Sequence, residues 1–217
     1  MLLDLTLQGK LINLIESFAL VIAIWSVSGH SPFILIRLFS LQSLLLALGT
    51  ALIAHVTGFH HVYFAAGFTF LFKVILIPVV LTYLAKKIEH RSDKDYLNAA
   101  TSLIVAAFFT MVAFMTSLRL ITKSGAFSSP WVLAIAISVM LIGLFIMVNR
   151  RNILSQIIGL MFMENGVFLA AIAVTYGMPL LIEFGIFFDV FVAILIMTTL
   201  LFKIHASEKG IQMGKST

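Results

Sequence analysis

Seven long apolar runs, separated by short polar breaks, dominate the chain. The breaks place the runs at about Leu11–Val27, Ile34–Val56, Val62–Ala85, Tyr96–Ile121, Pro130–Val148, Ile153–Tyr176 and Pro179–Phe202. An α-helix needs roughly 20 apolar residues to cross the hydrocarbon core of a bilayer, and each run is close to that length. The runs are apolar all round rather than striped, as expected of helices that face lipid or one another. The pattern predicts an all-α, multi-pass transmembrane bundle of about seven helices in one membrane domain, 1–217. Its first four helices (1–125) form an N-terminal part and its last three (126–217) a C-terminal part. The first run follows Asp4 and Lys10 without a small-residue cleavage pattern, so it reads as a retained helix.

Composition agrees with this reading. Hydrophobic residues make up 61% of the 217 positions and charged residues 11%, with a mean hydropathy of +1.13. Lipid is the solvent for most of such a chain, and no length remains for a separate soluble domain. The net charge of +5 would suggest nucleic acid in a soluble protein. Here the positive residues gather at the ends of spans and report topology instead. With the N-terminus outside and the C-terminus inside, ten basic residues fall on the inner side: Arg37, Lys86, Lys87, Arg91, Lys94, Arg150, Arg151, Lys203, Lys209 and Lys215. Lys10, Arg119 and Lys123 fall outside, a strong positive-inside bias. No nucleic-acid partner is expected, and lipid is. The hydrophilic stretch Lys86–Asp95 is then a short inner loop, with Arg37 and Lys203 reaching for the inner interface.

Cysteine is absent, which excludes disulfides, thiolate zinc sites, iron–sulfur ligation and cysteine-bound nickel. No cofactor or metal is expected in the chain. His55, His60 and His61 cluster near the outer end of the second span, but their spacing is generic. No Walker loop, dinucleotide fingerprint, nucleophile elbow or tandem repeat is present, so candidate chemistry lies in polar residues within the spans.

A charge at the bilayer centre costs at least about 2.5 kcal/mol on insertion scales, so each such residue is a functional candidate. Lys73, Glu164 and Asp189 each lie roughly 16–20 Å from the inner ends of their helices, near one depth on three different helices. One base and two acids at a single level can form a lateral proton relay, because each group can exist charged or neutral beside water or an opposite charge. They can equally form an inert buried ion pair. Asn165 adjoins Glu164 and points about 100° away, towards a different helix. Pro78 follows Lys73 by five residues and frees the Val74 carbonyl, predicting a kink or a water site. Glu183 sits in the first turns of the last helix, where a carboxylate suits the helix dipole, and joins the relay candidates. Glu16, near the outer end of the first span, is expected to be solvated by headgroup water.

Four segments resemble the hydrogenase-4 component E family: NRRN at 149–152, ILSQIIGLMFMENGVFLAA at 153–171, IEFGIFFDVFVAILIM at 182–197, and FKVILIPVVLTY at 72–83, which looks like that family's lysine-and-proline helix. More distantly, the last three helices look like the small K-type subunit of respiratory complex I and its counterpart in multisubunit cation/proton antiporters. In the K-type pattern the glutamate follows Gly-Leu directly, a position held here by Met161. Glu164 comes three residues later, about one turn deeper on a similar face. Asp189 stands where the second K-type acid falls. The resemblance implies a non-catalytic subunit of a group-4 nickel–iron hydrogenase assembly in a prokaryotic cytoplasmic membrane, contributing to proton translocation. It implies antiporter-like membrane subunits and soluble hydrogenase subunits as partners, with the nickel–iron site and iron–sulfur clusters in those partners. A purely structural bridging subunit, or a subunit of a cation/proton antiporter, remains the alternative.

Overall fold

The computed structural model describes residues 2–29, 31–58, 60–87, 95–124 and 130–175, and all regular structure among them is helical. The elements are α1 (Leu2–Ser28), α2 (Pro32–Thr57), α3 (His60–Thr69), a π-helical segment (Phe70–Leu76), α4 (Ile77–Lys87), α5 (Ala99–Ser124), α6 (Pro130–Asn149) and α7 (Ile153–Thr175). The run from α3 through the π segment to α4 is one continuous span. Six helices among the described residues are long and apolar enough to cross a membrane, matching the first six expected spans. The expected seventh, Pro179–Phe202, lies outside the described residues together with Glu183 and Asp189.

Local chemistry sets the helix ends. Pro32 occupies the first turn of α2, where its missing N–H costs nothing, and Gly58 closes α2 at φ 72° with its N–H bonded to the Ala54 carbonyl. The Asn98 side chain accepts the Thr101 N–H at 2.8 Å, so α5 starts at Ala99 rather than at Tyr96. Asn152 caps α7 in the same way, accepting the Leu154 N–H at 2.9 Å. The first helix starts at Leu2, well before the expected Leu11. That extension puts about 21 Å of helix ahead of Glu16.

Helices α6 and α7 make the most extensive contact in the bundle. Three glycines on these two helices bring the backbones together: a Cβ on Gly143 would lie 2.2 Å from the Met163 nitrogen, one on Gly159 2.6 Å from the Met147 nitrogen, and one on Gly166 2.5 Å from the Met140 nitrogen. Small residues at a helix crossing are the usual means of tight packing in lipid, where apolar side chains gain nothing by leaving lipid for one another. Around this pair, α1 and α5 pack on α6, while α2 packs on α1, α3, the π segment and α7. Leu35, Phe39, Leu81, Ile142, Ile158 and Phe162 are fully enclosed between them, with the Phe39 and Phe162 rings edge-to-face at 6.0 Å. Ile104, Phe108 and Leu118 of α5 point outwards, as suits lipid contact.

At the end of the bundle that carries Arg37, Lys86, Arg150 and Arg151, the NRRN stretch ties several helices together. Arg150 pairs through Nη1 with Asp95, and its Nη2 donates to the Val27 carbonyl at 2.9 Å and the Ser26 carbonyl at 3.4 Å, closing the last turn of α1. Burial pulls this guanidinium below its ordinary pKa, and Asp95 opposes that shift. Asn149 Oδ1 accepts the Leu97 N–H at 2.9 Å, its Nδ2 donates to Ser102 Oγ at 3.3 Å, and its carbonyl accepts the Tyr96 N–H. Arg151 lies over the Tyr96 ring, 4.4 Å from its centroid. These two arginines therefore fix helix ends as well as marking topology.

Candidate functional site

Pro78 has no N–H to offer the Val74 carbonyl, so the regular α ladder cannot continue through this turn. The chain widens instead into the π segment, where the Ile77 N–H bonds back to Phe72. The Val74 carbonyl takes a hydrogen bond from the Ser40 hydroxyl of α2 at 3.1 Å. A serine on the neighbouring helix thus satisfies the carbonyl that the proline releases. Such π segments often coincide with functional positions, and this one carries Lys73 at its middle.

Lys73 is 1% exposed, and its ammonium reaches α7. It donates to Glu164 Oε1 at 2.5 Å and to Asn165 Oδ1 at 3.2 Å, with its Nζ 5.6 Å from the centroid of the Phe168 ring. Glu164 is itself 3% exposed. Lys73 and Glu164 lie near the middles of the spans Val62–Lys86 and Ile153–Ile172. The structure therefore joins two of the three residues expected at one depth. Asp189, the third, and Glu183 fall outside the described residues.

Asn165 extends the contact to α2. Its Nδ2 donates to Gln42 Oε1 and to Ser43 Oγ, each at 3.1 Å. Gln42 Nε2 then donates to the Ala19 carbonyl of α1 at 3.1 Å. Gln42, Ser43 and Asn165 are fully buried. The carboxamide of Asn165 has both ends engaged, its oxygen towards the ammonium and its nitrogen, through two N–H groups, towards α2, which fixes its orientation. A continuous polar line thus runs from α7 and the π segment through α2 to α1.

Sequence reasoning missed Gln42 and Ser43. Neutral polar residues are common in spanning helices and carry no charge to flag them. Adjacency in the pair Gln-Ser, level with Asn165 when counted from the basic end, was the available signal. Glu16 is a correction: it is 3% exposed rather than bathed by headgroup water, because α1 extends well beyond it and α2 covers it. Among the described residues no group of three or more His, Asp or Glu could hold a metal ion. His55 Nδ1 instead lies 3.3 Å from the Tyr63 hydroxyl.

Residues 131–216 match the family described as NADH-ubiquinone/plastoquinone oxidoreductase chain 4L. Across 212 residues the chain is 28% identical to hydrogenase-4 component E of Escherichia coli K12, an alignment spanning 96% of this chain and 97% of that protein. The chain is thus similar to hydrogenase-4 component E over nearly its whole length. The component E of Shigella flexneri aligns to the same extent, and an uncharacterized protein of Mycobacterium tuberculosis is 29% identical over 59% of each chain. No solved structure matches the chain at a significant level. The component E alignment takes in α1 and α2 as well as the helices bearing Lys73 and Glu164. The chain 4L match begins at α6 and so includes Glu164 and Asn165, while Lys73, Gln42 and Ser43 lie outside it.

Proposed function

We propose that this chain is a non-catalytic membrane subunit of a hydrogenase-type assembly related to respiratory complex I. In this reading the Lys73–Glu164 pair carries a step of proton translocation coupled to electron transfer. The observation that carries the proposal is the pairing of a lysine and a glutamate near mid-span, both buried, with Asn165 linking them to polar groups on α2. Lys73 and Glu164 are the members of this line that can exchange a proton, and the Asn165 and Gln42 carboxamides, which do not titrate, hold the pair in place by hydrogen bonds. The pair can also neutralise internally, the ammonium proton passing to the carboxylate, at far lower cost than separating either charge in lipid.

With no cysteine, the chain offers no thiolate to a nickel–iron site or an iron–sulfur cluster. Those groups belong in partner subunits on the basic, cytoplasmic side of a prokaryotic inner membrane, with antiporter-like membrane subunits alongside. Asp189 and Glu183 are proposed as further relay members. The direct contact of Lys73 with Glu164 Oε1 also supports a second reading, in which the pair only fixes helix register.

Gentle purification from the native membrane tests the assignment. Nickel-containing and iron–sulfur polypeptides are expected in fixed proportion to this chain, with hydrogen evolution in the same fraction. Antiporter-type subunits without nickel would move the chain to a cation/proton antiporter, and isolation as a lone polypeptide would overturn both assemblies.

A further inference from the structure

The line of hydrogen bonds that leads from the Lys73–Glu164 pair ends, towards α1, at the Ala19 carbonyl. One helical turn further from the basic end stands a carboxylate that the relay leaves unused. Glu16 is 3% exposed, and among the described residues its Oε2 has no hydrogen-bond partner. It borders a small cavity of about 10 Å³ between α1, α2 and α7, walled by Leu46, Gly49, Thr50, Leu169 and Ile172. That is close to the space one water molecule needs. None of the residues bordering the cavity other than Glu16 is ionisable. The Thr50 hydroxyl is engaged with the Leu46 carbonyl at 2.8 Å and leaves its own lone pairs to accept.

The directions of the helices place this cavity. Moving from Gln42 to Thr50 on α2, from Asn165 to Ile172 on α7, and from Ala19 to Glu16 on α1 all lead away from the basic end. The cavity therefore lies about 6–10 Å beyond the Asn165 network along the bundle axis. A buried carboxyl group with an unsatisfied oxygen is costly, which marks it as a functional candidate, and a purely structural glutamate here would be expected to bond a neighbouring helix.

We propose that Glu16 is a proton-carrying site of this subunit, linking the Lys73–Glu164 network to the membrane face opposite the basic end. This inference rests on the relay reading. In the step, the Lys73–Glu164 pair gives up one proton, which water that includes the molecule the cavity can hold carries to the Glu16 carboxylate, and the resulting carboxylic acid releases it towards the far face. No electrons move. Gln42, hydrogen-bonded to the Ala19 carbonyl, positions α1 against α2 so that Glu16 faces the cavity.

The test uses the intact complex in proteoliposomes, reading proton movement and hydrogen evolution together for wild type, Glu16→Gln, Glu16→Asp and Glu164→Gln. Glu16→Gln is expected to lower protons moved per hydrogen by about ten-fold or more while hydrogen evolution continues, with Glu16→Asp retaining part of the coupling. Loss in Glu164→Gln with unchanged coupling in Glu16→Gln overturns the role of Glu16 and leaves the relay standing. Unchanged coupling in both overturns the relay and this inference together. A second readout covers a Glu16→Gln variant that fails to assemble: an apolar carbodiimide, which reacts with protonated carboxyls in membranes, is applied to the native complex. An adduct on the Glu16 peptide, with coupling lost in proportion, supports the proposal. Absence of the adduct overturns it.

Discussion

Lys73→Met is expected to lower the stability of the subunit by about 3–5 kcal/mol, the usual effect of stripping one partner from a buried ion pair. The substitution keeps the length and apolar stem of the side chain, so packing changes little. What changes is that Glu164 Oε1 loses its ammonium partner and Asn165 Oδ1 its donor, both within lipid depth. Glu164→Met is expected to be comparably damaging, since it strands the cation. The double variant Lys73→Met, Glu164→Met removes both charges and is expected to recover most of the stability lost by either single change. Thermal unfolding of the purified assembly, followed by the release of this subunit, reads all three. Additive losses in the double variant would contradict direct pairing. Recovery of stability without recovery of proton coupling would separate the site's role in holding the bundle from its role in moving protons.

Gly143→Leu is expected to prevent assembly, and Gly143→Ala to lower stability by about 1–3 kcal/mol or more. The Cβ of either residue would lie 2.2 Å from the Met163 nitrogen and 2.7 Å from its Cα. These neighbours are backbone atoms, which cannot swing aside, so α6 and α7 must separate. Separation would carry Glu164, the residue after Met163, away from Lys73, and coupling should fall along with stability. Gly67→Ala supplies the control: it sits at an exposed helical position with nothing within 4 Å of its Cβ, and it should be neutral or slightly stabilising. The amount of subunit retained in purified membranes, together with its melting temperature, distinguishes the two. Equal behaviour of Gly143→Ala and Gly67→Ala would contradict the close backbone contact.

Much of this architecture is legible in the sequence because lipid imposes a simple code. Run length gives the spans, and lone charges within runs such as Lys73 and Glu164 announce themselves by their cost. Their shared depth follows from the rise per residue alone. Hydrogen-bond register is different: the π segment around Lys73 leaves no mark on hydropathy, and only Pro78 hints at it. The Ser40 hydroxyl that answers the Val74 carbonyl belongs to another helix, and a serine in an apolar run signals nothing by itself. Glu16 was misplaced because Asp4 and Lys10 shorten the apolar run, whereas the helix continues through them to Leu2. Arg150 looked like a topology marker because adjacent arginines at a span end usually are. Its contacts to Asp95 and to the end of α1 depend on which helices meet, which the run pattern does not encode.

The most direct test of the central claim is the ratio of protons moved to hydrogen produced by the reconstituted complex carrying Glu164→Gln. Glutamine keeps the shape of the side chain and can accept a hydrogen bond from Lys73, so the assembly should form, yet it cannot take up a proton. The account predicts hydrogen evolution with coupled proton movement reduced by about ten-fold or more. An unchanged ratio in a correctly assembled complex would contradict a proton-carrying role for this site and leave the Lys73–Glu164 pair as a structural tie between helices.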